Sequence, residues 1–361
     1  MAQRINVTKT HLPSLDKYQE MVAELWKTGQ LTNYGQYCKE LENKLRNRLG
    51  VKHLKLVSNG TIAIQLAIKA LDLKGEIITT PFSYVATVSS IVWEGCKPVF
   101  VDISENDFCI DAEKIEAAIT PNTTAILATH VYGMPCDVAR IKEIASKHNL
   151  KVIYDAAHAF GIELDGSSLL KHGDISTLSF HATKVFHTGE GGAVITNDDE
   201  IAHKLSYLGN FGHNGHEDFY GIGVNAKISE LHSAMGLCIL PQMDTIVQNR
   251  KRAVLEYDTK LSSLKNLKIL QISSRIKHNY SYYPVVFKDE ATLLAVQTAL
   301  NKESIFPRRY FYPSLNKLPY VQYAEMPIAE SIAKNILCLP LSSETSSDNT
   351  NRIASVILEN L

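Results

Sequence analysis

From about residue 55 to residue 210 the chain repeats one pattern, a short apolar run rich in Val, Ile and Thr followed by a stretch with helical spacing. The runs are EIITT (76 to 80), KPVFVDI (97 to 103), TTAILATHV (123 to 131), LKVIYDAA (150 to 157), ISTLSF (175 to 180) and GGAVITN (191 to 197). Between them, DAEKIEAAI opens on Asp111 as a capping residue, and VARIKEIASKHN sets Ile141, Ile144 and Ala145 at helical intervals. Strand and helix in alternation predict an α/β fold built on a mainly parallel, doubly wound sheet covered on both faces. In such a sheet ligands sit beyond the carboxyl ends of the strands. The search for chemistry therefore narrows to the residues that follow each run.

At 361 residues, 45% apolar and 21% charged, the chain is long for one core, so two domains are expected. The reading assigns 1–245 to a large domain, N-terminal segment included, and 246–361 to a smaller α+β domain. No low-complexity linker divides them, which predicts domains packed together rather than tethered. Lys and Arg total 37 against 38 Asp and Glu, leaving no field to attract nucleic acid or an acidic membrane surface. A small-molecule partner is expected instead. The six cysteines stand apart from one another without ligand spacing, which argues against zinc and against a disulfide framework, and points to reduced thiols in the cytoplasm. The histidines around His213 have no Cys or carboxylate at a defined spacing, so no metal is expected. The N-terminus lacks an apolar leader, and no apolar run reaches the roughly 20 residues that cross a bilayer.

Four motifs share the strand-end address. In SNGTIAIQLAIKAL, Ala63, Leu66, Ala67 and Ala70 form a helical stripe directly after SNGT. The amides of Gly60 and Thr61 in that first turn make an anion site, or the segment is a Ser/Asn-capped helix with a glycine turn and nothing more. It is neither a Walker A loop nor a GxGxxG fingerprint, which weakens nucleotide triphosphate and dinucleotide readings. In YDAAHAFG, Asp155 closes an apolar strand and His158 follows. A carboxylate there either caps the next helix or meets a cation. In PFSYVATVSSIVW, Tyr84 offers a flat ring or packs in the core. Last, SFHATKVFHTGEGG places Ser179 and Lys184 beside another strand end, where a lone lysine is either solvated or chemically engaged. A phosphate-binding turn, a strand-end Asp and a strand-end Lys together suit a flat cationic heterocycle bearing an aldehyde and a phosphate.

SNGT, PFSYVAT, HVYGMPCD, YDAAHAFG, SFHATKVFHTGEGG and GVNAKISELHSAMG stand in the order and spacing of the DegT/DnrJ/EryC1/StrS sugar aminotransferases, and the chain resembles that family over nearly its whole length. The resemblance implies fold type I and pyridoxal 5′-phosphate (PLP) as cofactor. It makes Lys184 the lysine in Schiff-base linkage to PLP and the later proton carrier, which requires a neutral amine. It makes Asp155 the partner of the pyridine nitrogen. It puts His158 beside the ring hydroxyl and Tyr84 on the ring face, with Phe82 a rival, and Gly60, Thr61 and Ser179 around the phosphate. Asn225 resembles an asparagine that reaches the phosphate from a second subunit, implying a homodimer with shared sites. Tyr312 resembles a tyrosine near the sugar nucleotide, although Phe311 stands where relatives commonly have His. The loop holding His213 is expected to cover a neighbouring site. Arg308 and Arg309 either meet a diphosphate or are surface charges.

A related branch carries His in place of this lysine and dehydrates sugars; Lys184 favours transamination. Within the family the chain is most similar to enzymes that move an amino group from L-glutamate to dTDP-4-keto-6-deoxy-D-glucose, giving dTDP-4-amino-4,6-dideoxy-D-glucose, a step toward O-antigen lipopolysaccharide. Amination at C3 of the 3-keto isomer is the alternative. A PLP-free sugar-binding protein on this fold, and a nicotinamide oxidoreductase without GxGxxG, are the readings from other classes.

Overall fold

The protein, described here over residues 4–361 of a computed structural model, is organised by a seven-stranded sheet. In spatial order its strands are His53–Val57, Gly192–Thr196, Ile175–Ser179, Lys151–Asp155, Thr123–Thr129, Glu76–Thr79 and Lys97–Phe100. The last five are mutually parallel, while Gly192–Thr196 is antiparallel to both of its neighbours. The mainly parallel sheet is thus observed, with one reversed strand. Its reversal has a plain cause: the loop 180–191 returns directly from Ser179 without the crossover helix that a parallel connection needs.

Alternate residues along each strand feed two different cores, as the two-residue period of a strand requires. Ile126, Ala128, Val152 and Tyr154 pack on one face; Ala125, Leu127, Ile153 and Val194 pack on the other, beneath the helix Gly60–Ala70. Burial on both faces explains why these segments read as nearly continuous apolar runs.

Two elements are shorter than their sequence patterns. The run at 97–103 is strand only to Phe100. Two residues on, the buried Asp102 accepts backbone N–H bonds from Ile328 and Ala329, both at 2.9 Å, and so caps the distant helix Pro327–Asn335. The helix after Asp111 spans Ala112–Ile115 and tightens to a 3-10 turn at Glu116–Ala118, because Pro121 biases the residue before it away from the helical region.

A separate core lies among the helices Met243–Leu261, Glu290–Lys302 and Ser347–Glu359 and an antiparallel sheet of Leu267–Ile269, Tyr283–Phe287 and Ile336–Leu339. The helix Met243–Leu261 joins the two parts: Met243 and Ile246 pack in the large core, Ala253, Tyr257 and Leu261 in the small one. Position 245, where the sequence reading changes domain, lies inside that helix. The N-terminal segment, expected with the large domain, is shared. Its strand Ile5–Asn6 pairs in parallel with Ile305–Phe306 of the small part, whereas its helix Leu15–Thr28 packs on Glu230–Ile239 of the large one. A two-residue strand leaves no periodicity to read. All six cysteines are free and buried. Among the described residues no helix is long and apolar enough to cross a membrane.

Candidate active site

A cavity of about 240 Å³ opens at the carboxyl edge of the large sheet. Each parallel strand but the outermost delivers residues to it. Asn59, Gly60 and Thr61 follow His53–Val57, Ser83 and Tyr84 follow Glu76–Thr79, and Thr129 and Asp155 end their own strands. His158 comes just after Asp155, Ser179 ends the next strand, and Lys184 rises from the return loop. Tyr282, Arg308, Tyr310 and Phe311 close the cavity from the C-terminal part. Of the ten site residues read from the sequence, Lys184, Gly60, Thr61, Tyr84, Asp155, His158 and Ser179 therefore share one wall.

The loop that carries Lys184 is held from both ends. Phe180 donates its N–H to Gly191 O at 2.8 Å, Ala182 to Gly189 O at 2.8 Å, and Lys184 itself to His181 O at 2.8 Å. Phe186 stacks on Phe160 (4.7 Å between ring centres) and meets Phe180 edge to face (4.9 Å), fastening the loop to the core. Lys184 is half-buried, open to the cavity. Burial lowers its ammonium to about 8, while the nearby charges of Asp155 and Tyr84 pull the other way. A usable fraction of neutral amine at physiological pH is the consequence, and a neutral amine is what attack on a carbonyl needs.

Asp155 is 5% exposed. Its Oδ2 accepts from Thr87 Oγ1 at 2.7 Å and its Oδ1 from the Ala157 N–H at 3.2 Å, and among the described residues it forms no ion pair. A carboxylate so deeply buried, turned to a cavity and in no ion pair, fits a ligand that brings its own positive N–H.

At the opposite end of the cavity, Asn59 caps the helix Gly60–Ala70 by accepting the Ile62 N–H at 2.9 Å. The amides of Gly60 and Thr61 find no acceptor among the described residues, so two donors at a helix N-terminus face the space beside Ser179. The cap is observed at Asn59, and it leaves the amides of the next two residues open toward the cavity.

The structure also separates the aromatic candidates. Phe82 is fully buried against Phe108, Tyr132 and Phe311, with ring centres 5.6 to 6.2 Å away. Tyr84, 54% exposed, is the ring on the cavity wall. His158 is buried, and burial together with Lys184 holds its imidazolium well below the usual histidine range. Its Nδ1 accepts the Tyr132 N–H at 3.2 Å, so the neutral ring carries its proton on Nε2 as a donor. Phe311, parallel to His158 within 1° at 5.7 Å, lines the cavity where a polar residue was the family expectation.

Asn225, His213 and Tyr312 lie outside this wall. Asn225 is exposed and bridges Asn210 across a loop; His213 packs against Phe219 at 4.7 Å; Tyr312 is half exposed beneath the Arg309 guanidinium at 3.8 Å. The adjacent arginines part company. Arg309 is tied to Glu290 Oε1 (2.7 Å) and Lys334 O (2.9 Å), whereas Arg308 faces the cavity, its guanidinium 4.6 Å from the Tyr310 ring. Sequence reasoning missed Ser83, Thr87 and Thr129. The first two stand four apart in PFSYVAT, Ser83 just before the helix Val85–Trp93 and Thr87 in its first turn, so their nearness in sequence was the available signal.

An amine kept partly neutral, a buried carboxylate in no ion pair and an open helix N-terminus on one sheet edge suit a flat cationic ligand that bears both a carbonyl and an anionic group. Comparison with known proteins makes the family definite. The chain belongs to the DegT/DnrJ/EryC1/StrS aminotransferase family, whose model matches residues 15–358. It is 44% identical, over 99% of this chain and 100% of the other, to a dTDP-4-amino-4,6-dideoxy-D-glucose transaminase of Shigella dysenteriae. It is 38% identical to a transaminase of the same name from Escherichia coli, over 98% of each. A solved structure of DesI in the presence of its TDP-sugar product superposes with a TM-score of 0.93 at 31% identity, covering 99% of this chain and 93% of that one. The expected fold type, enzyme class and PLP dependence hold for this chain.

Proposed function

We propose that this enzyme moves an amino group from L-glutamate to C4 of dTDP-4-keto-6-deoxy-D-glucose, releasing dTDP-4-amino-4,6-dideoxy-D-glucose. The observation that carries the reading is the full-length likeness to two transaminases of that name, 44% and 38% identical. Bound PLP supplies an electron sink that eases loss of a proton from the carbon bearing the transferred nitrogen. The rest falls to the chain. Nζ of Lys184 anchors the cofactor at rest and, once free, carries the proton to and from that carbon. Asp155 keeps the ring nitrogen protonated, His158 offers its Nε2–H to the ring oxygen, and Tyr84 covers one ring face. The amides of Gly60 and Thr61 and the hydroxyl of Ser179 hold the phosphate.

In the same reading the enzyme is a cytoplasmic homodimer. Asn225 reaches the phosphate of the neighbouring subunit, the loop around His213 lies over that neighbour's cavity, and Tyr312 approaches the sugar nucleotide. The product is suited to O-antigen assembly in lipopolysaccharide.

The test is direct. Protein incubated with PLP, glutamate and dTDP-4-keto-6-deoxy-D-glucose yields a product whose NMR spectrum places nitrogen on C4. Nitrogen on C3 rejects the proposal, and so does a turnover that survives Lys184→Ala.

A further inference from the structure

We propose that three buried hydroxyls, Thr129, Ser83 and Thr87, form a one-way hydrogen-bond relay that orients the Asp155 carboxylate and fixes how firmly it competes for the proton on the cofactor's ring nitrogen. Thr129 Oγ1 donates to Ser83 Oγ at 3.0 Å, Ser83 Oγ and Thr87 Oγ1 are 2.8 Å apart, and Thr87 Oγ1 donates to Asp155 Oδ2 at 2.7 Å. All three residues are buried, at 2%, 1% and 0% exposure respectively, with Thr129 and Ser83 at the cavity wall and Thr87 behind it.

Proton counting sets the direction. An ionised carboxylate only accepts, so the single proton of Thr87 goes to Asp155. Thr87 can then only accept from Ser83, whose own proton is thereby used, and Ser83 can only accept from Thr129. Aligned donors of this kind polarise one another, and among buried groups the effect is larger than at a surface. With the Ala157 N–H on the other oxygen, the carboxylate is held from behind on both sides while its remaining lone pairs face the cavity.

The chemical consequence follows from how hydrogen bonds act on a shared proton. Donors to a carboxylate spread its charge and weaken its hold on a proton. The relay therefore leaves the proton on the ring nitrogen, where the electron sink needs it, rather than on Asp155. Ser83, Thr87 and Thr129 are positioning residues, acting through Asp155. This inference rests on PLP binding as assigned above.

The experiment uses the full-length protein with PLP labelled with ¹⁵N in the ring, in wild type, Thr87→Val, Thr87→Ser and Ser83→Ala. In Thr87→Val the ring ¹⁵N resonance moves toward unprotonated pyridine and PLP affinity falls about tenfold; Ser83→Ala shifts the resonance the same way with about a threefold loss, and Thr87→Ser restores both. Ser83→Ala is the deciding variant, because Ser83 makes no bond to Asp155 and a packing role at Thr87 cannot act from there. A wild-type resonance in Ser83→Ala overturns the relay, whatever Thr87→Val shows, while leaving the transaminase reading intact. Failure of the wild type to bind PLP overturns both.

Discussion

A Cβ added at Gly60 would lie 2.9 Å from the Cβ of Ser179, closer than side chains approach one another. The first turn of the helix and the end of the strand are thus pressed together at the cavity wall. Across the return loop the same tightness recurs, since a Cβ at Gly192 would meet the carbonyl carbon of Asn59 at 2.7 Å. Gly60→Ala must push the turn and Ser179 apart. The expected result is a loss of PLP affinity of at least tenfold, measured by absorbance titration, with a stability cost of about 1–3 kcal/mol from overpacking. Unchanged affinity in a folded Gly60→Ala protein would show that the phosphate is held elsewhere.

Lys184 is costly to the cofactor-free fold. Its ammonium falls from 10.5 to about 8 mainly through burial, so between those two values the unfolded chain binds a proton that the folded chain has released. Stability on this account rises with pH across that window, and the penalty is full below pH 8. Lys184→Met removes it. Cofactor-free Lys184→Met is expected to be more stable than wild type at pH 7, by up to about 3 kcal/mol, with a gain that shrinks steadily above pH 8. Urea denaturation at pH 7, 8 and 9 measures this; a gain independent of pH would assign it to packing instead.

The exposed position of Asn225 and the cavity position of Lys184 make a mixing experiment decisive for shared sites. Lys184→Ala and Asn225→Ala subunits are each impaired alone. If Asn225 serves the neighbour, a mixed dimer contains one site with both changes and one site with neither. Co-refolding the two variants is then expected to recover about a quarter of wild-type activity, since half the dimers are mixed and each has one intact site. No recovery above the Asn225→Ala baseline would place Asn225 in its own chain's site.

Glu230 and Gly35 form a tight contact outside the cavity lining. The buried Glu230 carboxylate accepts the Tyr37 N–H at 2.7 Å and the Cys38 N–H at 3.2 Å, capping the helix Gln36–Leu49, and a Cβ at Gly35 would lie 2.6 Å from its Cδ. Glu230→Gln, which turns an amide toward donors, is expected to cost about 1–3 kcal/mol. Gly35→Ala costs a similar amount by collision. In the double variant Gly35→Ala with Glu230→Ala the collision is gone, so thermal melting should show a loss smaller than the sum of those of the single variants Gly35→Ala and Glu230→Ala; strict additivity would disprove the contact.

Much of this protein is written in local order. The run of strands is legible because burial on both faces forces apolar residues into short blocks, and Asp155 and Lys184 are legible as partners because one ends a strand and the other follows a strand at the same edge. Those properties depend on neighbours in the chain, and the amino-acid order alone carries them. What only the folded chain decides is which of two similar residues meets the cavity and which partner each polar atom finds. Tyr84 rather than Phe82 reaches the wall, Arg308 rather than Arg309 stays free for a ligand, and the strand Ile5–Asn6 pairs with residues some 300 positions away. The hydroxyls behind Asp155 come from two separate segments, Ser83 and Thr87 from one and Thr129 from the other. Burial and hydrogen bonding are settled by atoms brought close in space, and no spacing rule along the sequence contains that information until the layers have packed.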